Sequence, residues 1–309
     1  MIYTVTCNPS LDYWMEAAPL HIGEVNRAAA ASLYPGGKGL NVSMVLHNFR
    51  METTALGFVA GFVGDEIVHQ VTASGCPCEM TVLRNGCSRL NVKLRDHAQT
   101  TEINAAGPTI TPEALEEMRQ RLLALEDGDV LVLAGSLPAG APASLYSDWM
   151  HLLQEKNIHI VVDVGGDALY STLAYHPFLI KPNATELGDL FHVDIQTPAD
   201  AAKYGTQLLQ SGAENVLVSL GGDGAVLCAQ DGQILFQSAA TGHVVNDVGS
   251  GDSMVAGFLA GWMQTQSYAG ALQWGTAAGA ATAFSGGLAT MEDMQTLLTT
   301  LEEPVPFRL

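Results

Sequence analysis

The most chemically suggestive segment of the chain is the glycine-rich run Val248-Gly249-Ser250-Gly251-Asp252-Ser253, which precedes residues with helical apolar spacing. Glycines let a backbone approach a ligand closely, and the unpaired N–H groups at a helix start attract oxyanions. The N–H groups of Gly249, Ser250 and Gly251 would therefore form a cradle for a phosphoryl group. Asp252, at the edge of that cradle, could accept the proton of an attacking hydroxyl.

Two other interpretations of this run stay open from the residues alone. Asp is a preferred N-cap residue, so the run could be an ordinary loop followed by a capped helix. Gly251-Asp252-Ser253 also matches the start of a serine-esterase motif, with Ser253 as the nucleophile. Esterases of that class have this block early and their histidine late, whereas here the last histidine, His243, precedes the block.

A second glycine-rich run, Gly36-Gly37-Lys38-Gly39-Leu40-Asn41, also precedes a helical pattern. It is not a Walker A loop, because the spacing differs and no Ser or Thr follows the lysine. Lys38 could meet a phosphate as a point charge, and Asn41 could bind a sugar hydroxyl through either end of its amide. A tight turn into a helix is the simpler alternative.

Several polar residues follow predicted strands, where open α/β sheets bind their ligands. Asp12 is placed to accept hydrogen bonds from sugar hydroxyls, and Ser136 lies at the same sheet edge as a further candidate for substrate contact. Asn183 and Glu186, three residues apart at a helix start, could organise Mg²⁺ beside ATP phosphates. The same pair is nearly a capping box, and the two roles can coexist.

Two segments of small residues offer surfaces for a nucleotide. The run Ser219-Leu220-Gly221-Gly222-Asp223-Gly224-Ala225 joins two apolar runs and is typical of a hairpin turn. Its bare backbone could also lie against a nucleotide. The alanine-rich segment around Gly279 could accommodate a flat adenine ring, although close helix packing explains the same composition.

Composition limits the partners of the chain. Its 309 residues carry a net charge of −19 with only 13 Lys and Arg residues, which disfavours nucleic acid and anionic membranes. The five cysteines have no zinc-like spacing and predict free thiols in a reducing compartment. The N-terminus resembles a strand and not a signal peptide, and residues 269–289 are a poor bilayer span. We therefore expect a soluble cytoplasmic protein.

The alternation of short apolar runs with helical patterns predicts an α/β fold with a doubly wound, mostly parallel sheet flanked by helices, in a single domain over residues 1–309. The predicted strands are Ile2–Thr6, Ala55–Ala60, Val130–Ala134, His159–Val164, Phe178–Lys181 and Val216–Leu220. The predicted helices are Gly39–Phe49, Pro112–Leu125, Ala143–Lys156, Ala184–Phe191 and Pro198–Gly212.

Residues of about 11–34 and 78–104 interrupt this alternation with short strands and turn signals. In the second segment Ser88, Leu90, Val92 and Leu94 alternate with Arg89, Asn91 and Lys93. These segments predict a small β-sheet inserted into the domain as a lid. The alternative is a plain edge hairpin whose charged face is solvated.

In this order the motifs resemble one family over nearly the whole chain, the PfkB or ribokinase-like sugar kinases. The early Gly-Gly-Lys-Gly-Leu-Asn and the late Val-Gly-Ser-Gly-Asp-Ser are similar to its two signature regions. Asn8-Pro9-Ser10-Leu11-Asp12, Arg89-x-Asn91-Val92-Lys93 and Thr101-Glu102-Ile103-Asn104 look most like the bacterial 1-phosphofructokinase branch. Asn246-Asp247 departs from the Asp-Thr of many relatives, which puts any monovalent-cation site in that loop in doubt.

The resemblance implies ATP- and Mg²⁺-dependent phosphorylation of a ketose phosphate, with fructose 1-phosphate giving fructose 1,6-bisphosphate. It implies Asp252 as catalytic base beside the Gly249–Gly251 anion hole. The implied substrate contacts are Asp12, Gly37, Asn41, Asn91, Asn104 and Ser136, and the implied cations for the substrate phosphate are Lys38, Arg89, Lys93 and Arg27. The implied ATP contacts are Lys181, Asn183, Ser219, Gly221, Gly224 and Gly279, and Asn183 and Glu186 are implied at the metal. The alternatives are tagatose-6-phosphate or fructose-6-phosphate kinase activity and a non-catalytic sugar-phosphate sensor. Lid sheets in the family often pair, so a homodimer through the lid is expected.

Overall fold

The computed structural model describes residues 1–97 and 99–308; Ala98, inside the predicted lid segment, and Leu309 lie outside the described residues. The strands are β1 (Ile2–Thr6), β2 (Ser10–Glu16), β3 (Ala30–Gly36), β4 (Thr53–Ala60), β5 (Cys78–Leu83), β6 (Arg89–Asp96), β7 (Gln99–Ile103), β8 (Val130–Ala134), β9 (His159–Asp163), β10 (Leu179–Ile180), β11 (Val216–Ser219), β12 (Ala225–Cys228), β13 (Ile234–Gln237) and β14 (Val305–Pro306). The helices are α1 (Lys38–Asn48), α2 (Gly61–Ala73), α3 (Pro112–Leu123), α4 (Leu145–Leu153), α5 (Gly166–Thr172), α6 (Ala184–Phe191), α7 (Pro198–Gln210), α8 (Ser250–Thr265), α9 (Tyr268–Phe284) and α10 (Met291–Leu298).

Ten strands form one large sheet in the order β14-β13-β12-β11-β10-β9-β8-β1-β4-β5. The strands from β11 to β5 are parallel, and β12, β13 and β14 add an antiparallel edge. In register, Thr4 of β1 pairs with Ala55 on one side and Val132 on the other. The chain winds outward from β1 in both directions, so the predicted mostly parallel α/β fold is confirmed.

Strand β8 illustrates why this sheet needs helices on both faces. Leu131 and Leu133 pack into one hydrophobic cluster, which includes Met118 of α3 and Trp149 of α4. The alternate residues Val130, Val132 and Ala134 pack into a second cluster, which includes side chains of α1, α8, α9 and α10. A strand that is buried on both faces reads as a continuous apolar run.

Helices α8 and α9 pack closely because small residues face each other. A Cβ added at Gly257 would come within 2.6 Å of the Ala278 Cβ and of the Trp274 carbonyl oxygen. This contact anchors α8, whose first turn carries Asp252, against the body of the domain. Within residues 1–97 and 99–308, no helix combines the length and apolar character needed to cross a membrane.

All six predicted strands and all five predicted helices are present, with ends shifted by up to three residues. The sequence analysis missed α2, whose start contains Gly61 and Gly64 and whose buried side chains are β-branched. Both features weaken local helix propensity. Val63, Ile67 and Val71 nevertheless recur at helical spacing and are buried, so packing overrides the local preference.

A second sheet has four strands in the order β3-β2-β6-β7. It contains most of the predicted lid segments, but one boundary is corrected. Cys78–Leu83 was assigned to the small sheet, whereas it is β5 and pairs in parallel with β4 at the edge of the large sheet. Met80 and Val82 pair in that register with Gly57 and Val59. The backbone hydrogen bonds to β4 determine this assignment, because the alternation of side chains within a strand does not predict its partner strand.

The alternating residues of β6 face opposite sides, but the polar side is the more buried one. Asn91 and Lys93 are 4% and 5% exposed, whereas Leu90 is 38% exposed. The alternative of an edge hairpin with a solvated charged face is therefore wrong. The polar face of the small sheet carries Asp12, which is also buried, and it points toward the glycine-rich helix starts.

Candidate active site

The first turn of α8 forms a cradle of backbone N–H groups. Gly249, immediately before the helix, has a φ of 84°, in the left-handed region that favours glycine. The N–H groups of Gly249, Gly251 and Asp252 have no protein acceptor in the part of the chain that the structure describes. The N–H of Ser250 donates instead to the Asp247 carbonyl at 3.1 Å. The predicted cradle is corrected accordingly, with the N–H of Asp252 in place of that of Ser250.

The Asp252 side chain is buried and held in one orientation. Nδ2 of Asn41, on α1, donates to its Oδ2 at 2.7 Å. Burial, followed by repulsion from Asp163, raises the pKa of Asp252 to about 7. The hydrogen bond from Asn41 and the charges of Lys38 and Lys181 oppose this rise. A carboxyl group with a pKa near neutrality is suited to exchange protons with a substrate hydroxyl.

Two lysines lie beside the cradle and share one buried carboxylate. Nζ of Lys38 is 2.9 Å from Oδ1 of Asp163, and Nζ of Lys181 is 3.7 Å from Oδ2. A Cβ added at Gly251 would be 3.1 Å from the Lys181 Nζ, so that ammonium group lies against the cradle. Burial disfavours the Lys38 charge, but Asp163 and Glu186 outweigh it and raise the pKa of Lys38.

The sequence analysis did not single out Asp163, which the structure places beside the two lysines. It is the last residue of β9 and is 1% exposed. Its position offered the same signal that identified Asp12, because carboxyl ends of parallel strands point to the ligand side of the sheet. Asp163 holds positive charge beside the cradle, and its repulsion is a main reason for the raised pKa of Asp252.

A cavity of about 990 Å³, named here the larger cavity, opens next to the cradle. Its walls include small residues such as Ala239, Ala240, Gly242, Ala280 and Ala283. Every residue predicted to bind ATP or the metal lines this cavity: Lys181, Asn183, Glu186, Ser219, Gly221, Gly224 and Gly279. The four predicted catalytic residues, Gly249, Ser250, Gly251 and Asp252, also line it, as does Lys38. Tertiary structure thus brings together residues from six separate segments of the sequence.

Asn183 and Glu186 form a complete capping box at the start of α6. The Asn183 Oδ1 accepts from the Glu186 N–H at 2.8 Å, and the Glu186 Oε2 accepts from the Asn183 N–H at 2.9 Å. The remaining oxygen, Oε1, is 3.7 Å from Nζ of Lys38. Among the described residues no three His, Cys, Asp or Glu side chains cluster as a metal cage. One free carboxylate oxygen fits a Mg²⁺ that is held mainly by phosphates and water.

A second cavity of about 500 Å³ lies between the small sheet and α1, and Asp12 and Asn41 line it. Asn41 also bonds to Asp252, which lines the larger cavity, so this amide connects the two spaces. Trp14, Tyr34 and Arg95 line the second cavity as well, and the sequence analysis did not single them out. Arg95 lies two residues beyond Lys93 on β6, so the alternation that identified Lys93 could have found it.

Asn91 and Lys93 line neither of these cavities but support Asp12. Nδ2 of Asn91 donates to Oδ1 of Asp12 at 2.9 Å. Nζ of Lys93 is 3.6 Å from Oδ2 of Asp12 and 2.9 Å from Oε1 of Glu102. The hydroxyl of Ser10 also donates to Oδ1 of Asp12, at 2.7 Å. These partners fix the direction of the Asp12 carboxylate.

The other predicted substrate contacts also lie outside the two cavities. Nε of Arg89 donates to the Asn8 carbonyl at 3.0 Å, and burial lowers the pKa of this guanidinium against the attraction of Asp12. Gly37 precedes α1 with a φ of 128°, and an added Cβ would lie 2.7 Å from Cγ2 of Thr6. Arg27, Asn104 and Ser136 are exposed side chains on loops: Arg27 follows β2, Asn104 follows β7 and Ser136 follows β8.

Comparison with known proteins identifies the family. Residues 8–295 match the model of the pfkB family of carbohydrate kinases. The chain is 41% identical to the 1-phosphofructokinase of Bacillus subtilis, over 96% of this chain and 97% of that protein. It is 34% identical to the D-tagatose-1-phosphate kinase of Bacillus licheniformis, over 93% and 94% of the two chains.

A solved structure is similar over the same span. Phosphofructokinase-2 from Escherichia coli, in complex with substrates and products, superposes with a TM-score of 0.91 at 27% identity, covering 97% of this chain and 99% of that one. The sequence match and the structural match therefore indicate the same family. The chain belongs to the pfkB family of carbohydrate kinases and is a sugar-phosphate kinase.

Proposed function

We propose that this protein transfers the γ-phosphoryl group of ATP to the C6 hydroxyl of D-fructose 1-phosphate, giving D-fructose 1,6-bisphosphate and ADP. The observation that carries the proposal is the position of Asp252. Its carboxylate lines the larger cavity, and its hydrogen-bond partner Asn41 lines the second cavity. A group at this junction can reach a hydroxyl on one side and a phosphoryl group on the other. The similarity to a 1-phosphofructokinase supports the choice of sugar.

ATP would occupy the larger cavity, with its phosphates toward the start of α8. The free N–H groups of Gly249, Gly251 and Asp252 would donate to phosphate oxygens, and the positive end of the α8 dipole adds to this attraction. The ammonium group of Lys181, which lies against Gly251, would neutralise charge as it moves between oxygens. The small residues of α9 and of the loop after β11 would leave room for the nucleoside.

Glu186 would hold the Mg²⁺ that accompanies ATP, through Oε1 or a bound water. When bound, such an ion neutralises phosphate charge and orients the phosphoryl group. The capping box fixes the direction of Glu186 from its other oxygen. Lys38 lies close to the same carboxylate, so the metal and the ammonium group would share its charge.

The sugar phosphate would lie between Asp12 and Asn41, with the hydroxyl to be phosphorylated beside Asp252. Oδ2 of Asp252 accepts from Asn41, which leaves Oδ1 to receive the proton of the sugar hydroxyl. The sugar oxygen then bonds to the γ-phosphorus as the bond to the β–γ bridging oxygen breaks, and ADP leaves. Arg89 and Lys93 would attract the existing phosphate toward the polar face of the small sheet.

We further propose that the small sheet acts as a lid that excludes water from this reaction. ATP hydrolysis competes with transfer whenever water reaches the γ-phosphoryl group. Asp12 belongs to this sheet and would contact the sugar directly. Closure would therefore depend on bound sugar phosphate and would protect ATP until the acceptor is in place.

The opposite face of the small sheet is apolar, and we propose that a second copy of the chain covers it. Leu33, Tyr13, Val92 and Ile103 form one cross-strand row through all four strands. Leu33 and Ile103 are 41% and 58% exposed. Such a contiguous apolar row on a soluble enzyme indicates a binding surface. A homodimer through the lid would bury it and couple the two lids.

The first prediction concerns the acceptor. In an ADP-release assay, fructose 1-phosphate should give the highest kcat/KM, above D-tagatose 1-phosphate, fructose 6-phosphate and tagatose 6-phosphate. Tagatose 1-phosphate is the sharpest comparison, because it differs from fructose 1-phosphate only in the configuration at C4. A higher kcat/KM with either 6-phosphate would reverse the proposed placement of the substrate phosphate. No ADP release with any of the four would favour a sugar-phosphate sensor.

The second prediction concerns the proposed base. Asp252→Asn should lower kcat by about 10²–10⁴-fold, because the amide cannot accept the hydroxyl proton, while ATP and sugar phosphate still bind. Asp247→Asn is the matched control, since it removes one negative charge from the same loop and cavity without breaking the bond to Asn41. Near-normal turnover in Asp252→Asn would remove Asp252 from this role.

The third prediction follows from the raised pKa of Asp252. The base must be ionised, so kcat/KM should fall about tenfold per pH unit below a midpoint near pH 7 and level off above it. Asp163→Asn should move this midpoint to lower pH, because repulsion from Asp163 helps to raise the pKa of Asp252. A rate profile that stays flat from about pH 5 to 8 would contradict the assignment.

The fourth prediction concerns the apolar face. Leu90→Glu should convert the protein from dimer to monomer in sedimentation velocity, because a buried unpaired carboxylate opposes association. Tyr170→Glu is the control, since Tyr170 is 59% exposed on α5, outside the small sheet. A monomeric unmodified protein, or a dimer that tolerates Leu90→Glu, would reject the proposed interface.

A further inference from the structure

Helix α1 carries two groups of the site in its first four residues and has no cap of its own. Lys38, its first residue, pairs with Asp163. The amide of Asn41, three residues later, donates to Asp252. The N-cap position is Gly37, which has no side chain to accept a hydrogen bond. The first N–H groups of a helix lack acceptors within the helix, so an acceptor from elsewhere stabilises its start.

Thr6, the last residue of β1, supplies such an acceptor. It is 2% exposed, and its Oγ1 accepts from the Leu40 N–H at 2.9 Å. Leu40 is the third residue of α1, and its N–H is one that an N-cap side chain normally serves. Helices α3, α6, α7, α9 and α10 each make this bond with their own N-cap residue. In α1 the acceptor lies 34 positions away in sequence, so the bond ties the helix start to the end of β1.

The early glycine-rich run makes room for this threonine. A Cβ added at Gly39 would lie 2.6 Å from the Thr6 Oγ1 and 2.9 Å from the Val5 carbonyl oxygen. A Cβ added at Gly37 would lie 2.7 Å from the Thr6 Cγ2. Glycine lets the helix start lie this close to β1. The Thr6 side chain thus fixes where α1 begins, whether or not a ligand is bound.

We propose that Thr6 is a positioning residue, whose hydroxyl fixes the first turn of α1 and thereby directs the Asn41 amide toward Asp252. This inference rests on the proposed role of Asp252 as the base. Asn41 directly follows Leu40, so a shift of the Leu40 N–H would move the amide that holds Oδ2 of Asp252. Lys38 belongs to the same turn and would move with it. Thr6 lines neither of the two cavities described above, so it would act through α1 and not by contact with a substrate.

The same strand provides a matched control residue. Thr4 lies two residues before Thr6, on the same face of β1, and is also buried. Its Oγ1 is 2.8 Å from the hydroxyl of Ser43, which lies on α1 beyond the first turn and is itself 2.9 Å from Oγ1 of Thr53. Thr4→Val therefore removes a buried hydrogen bond between the same strand and the same helix but leaves the helix start in place. Its comparison with Thr6→Val separates a loss of stability from a loss of position.

The first part of the test measures stability and turnover on the full chain. Thr6→Val and Thr4→Val should each lower the Tm by about 2–4 °C, because each loses a buried hydrogen bond. Only Thr6→Val should lower kcat with fructose 1-phosphate, by about tenfold, because the proposed base loses its orientation. Thr6→Ser, which keeps the hydroxyl, should restore kcat to within about twofold of the unmodified protein.

The pH dependence offers a readout that a loss of stability alone does not move. Burial and repulsion from Asp163 raise the pKa of Asp252, and the charge of Lys181 opposes them from outside α1. The other two opposing groups, the Asn41 amide and the Lys38 ammonium, both belong to the first turn of α1. A loosened helix start should therefore raise the pKa of Asp252 further.

Thr6→Val should accordingly move the midpoint of the kcat/KM profile to higher pH by about 0.5–1 unit, whereas Thr4→Val should leave it in place. Equal kcat and equal midpoints in the two variants would overturn the inference, as would a failure of Thr6→Ser to restore them. If Thr6→Val does not fold, Thr6→Ala, which removes the hydroxyl without adding a methyl group, is measured in its place. A flat profile, or no turnover of fructose 1-phosphate, in the unmodified protein would instead overturn the proposed function.

Discussion

The hydrogen bond from Asn41 to Asp252 joins two residues that are 211 positions apart in sequence. It connects the starts of α1 and α8, each preceded by its own glycine-rich turn. Both helices begin at the ligand side of the large sheet, where β1 and its neighbours end. The position of the proposed base therefore depends on the packing of α1, α8 and α9 on one face of that sheet, and on the glycines that let α8 and α9 approach closely.

The site also shows how an acidic chain pairs its few cations with buried carboxylates. Only 13 residues are Lys or Arg, against 32 Asp and Glu. Lys38 and Lys181 share the Asp163 carboxylate, and Lys93 lies between Asp12 and Glu102. Buried or half-buried ammonium groups need such partners, because desolvation of an unpaired charge is costly. Incoming phosphates would compete with these carboxylates, so the site is organised before its substrates arrive.

The small sheet has one polar face and one apolar face. Its polar face carries Asp12, Asn91 and Lys93 toward the helix starts, and its apolar face carries the row from Leu33 to Ile103. Because side chains alternate along a strand, the two short segments that form this sheet can supply both faces. The α/β body thus provides the N–H cradle and the larger cavity, while the small sheet provides the opposing wall of the second cavity.

The amino-acid sequence alone determined the fold class, the main strands and helices, and the residues around the larger cavity. Those features depend on local information: apolar periodicity, strand ends and glycines before helices. The assignment of Cys78–Leu83 to the large sheet depends on its hydrogen bonds to β4, and the presence of α2 depends on the burial of one of its faces. The inward direction of Asn91 on β6 depends on how the small sheet packs against the rest of the chain. The charge partners of Asp163, Lys38 and Lys181, are distant from it in sequence. The pairing of the Ser250 N–H with the Asp247 carbonyl depends on the geometry of one turn. Tertiary structure alone settles such points, because pairing, burial and charge compensation are properties of neighbours in space.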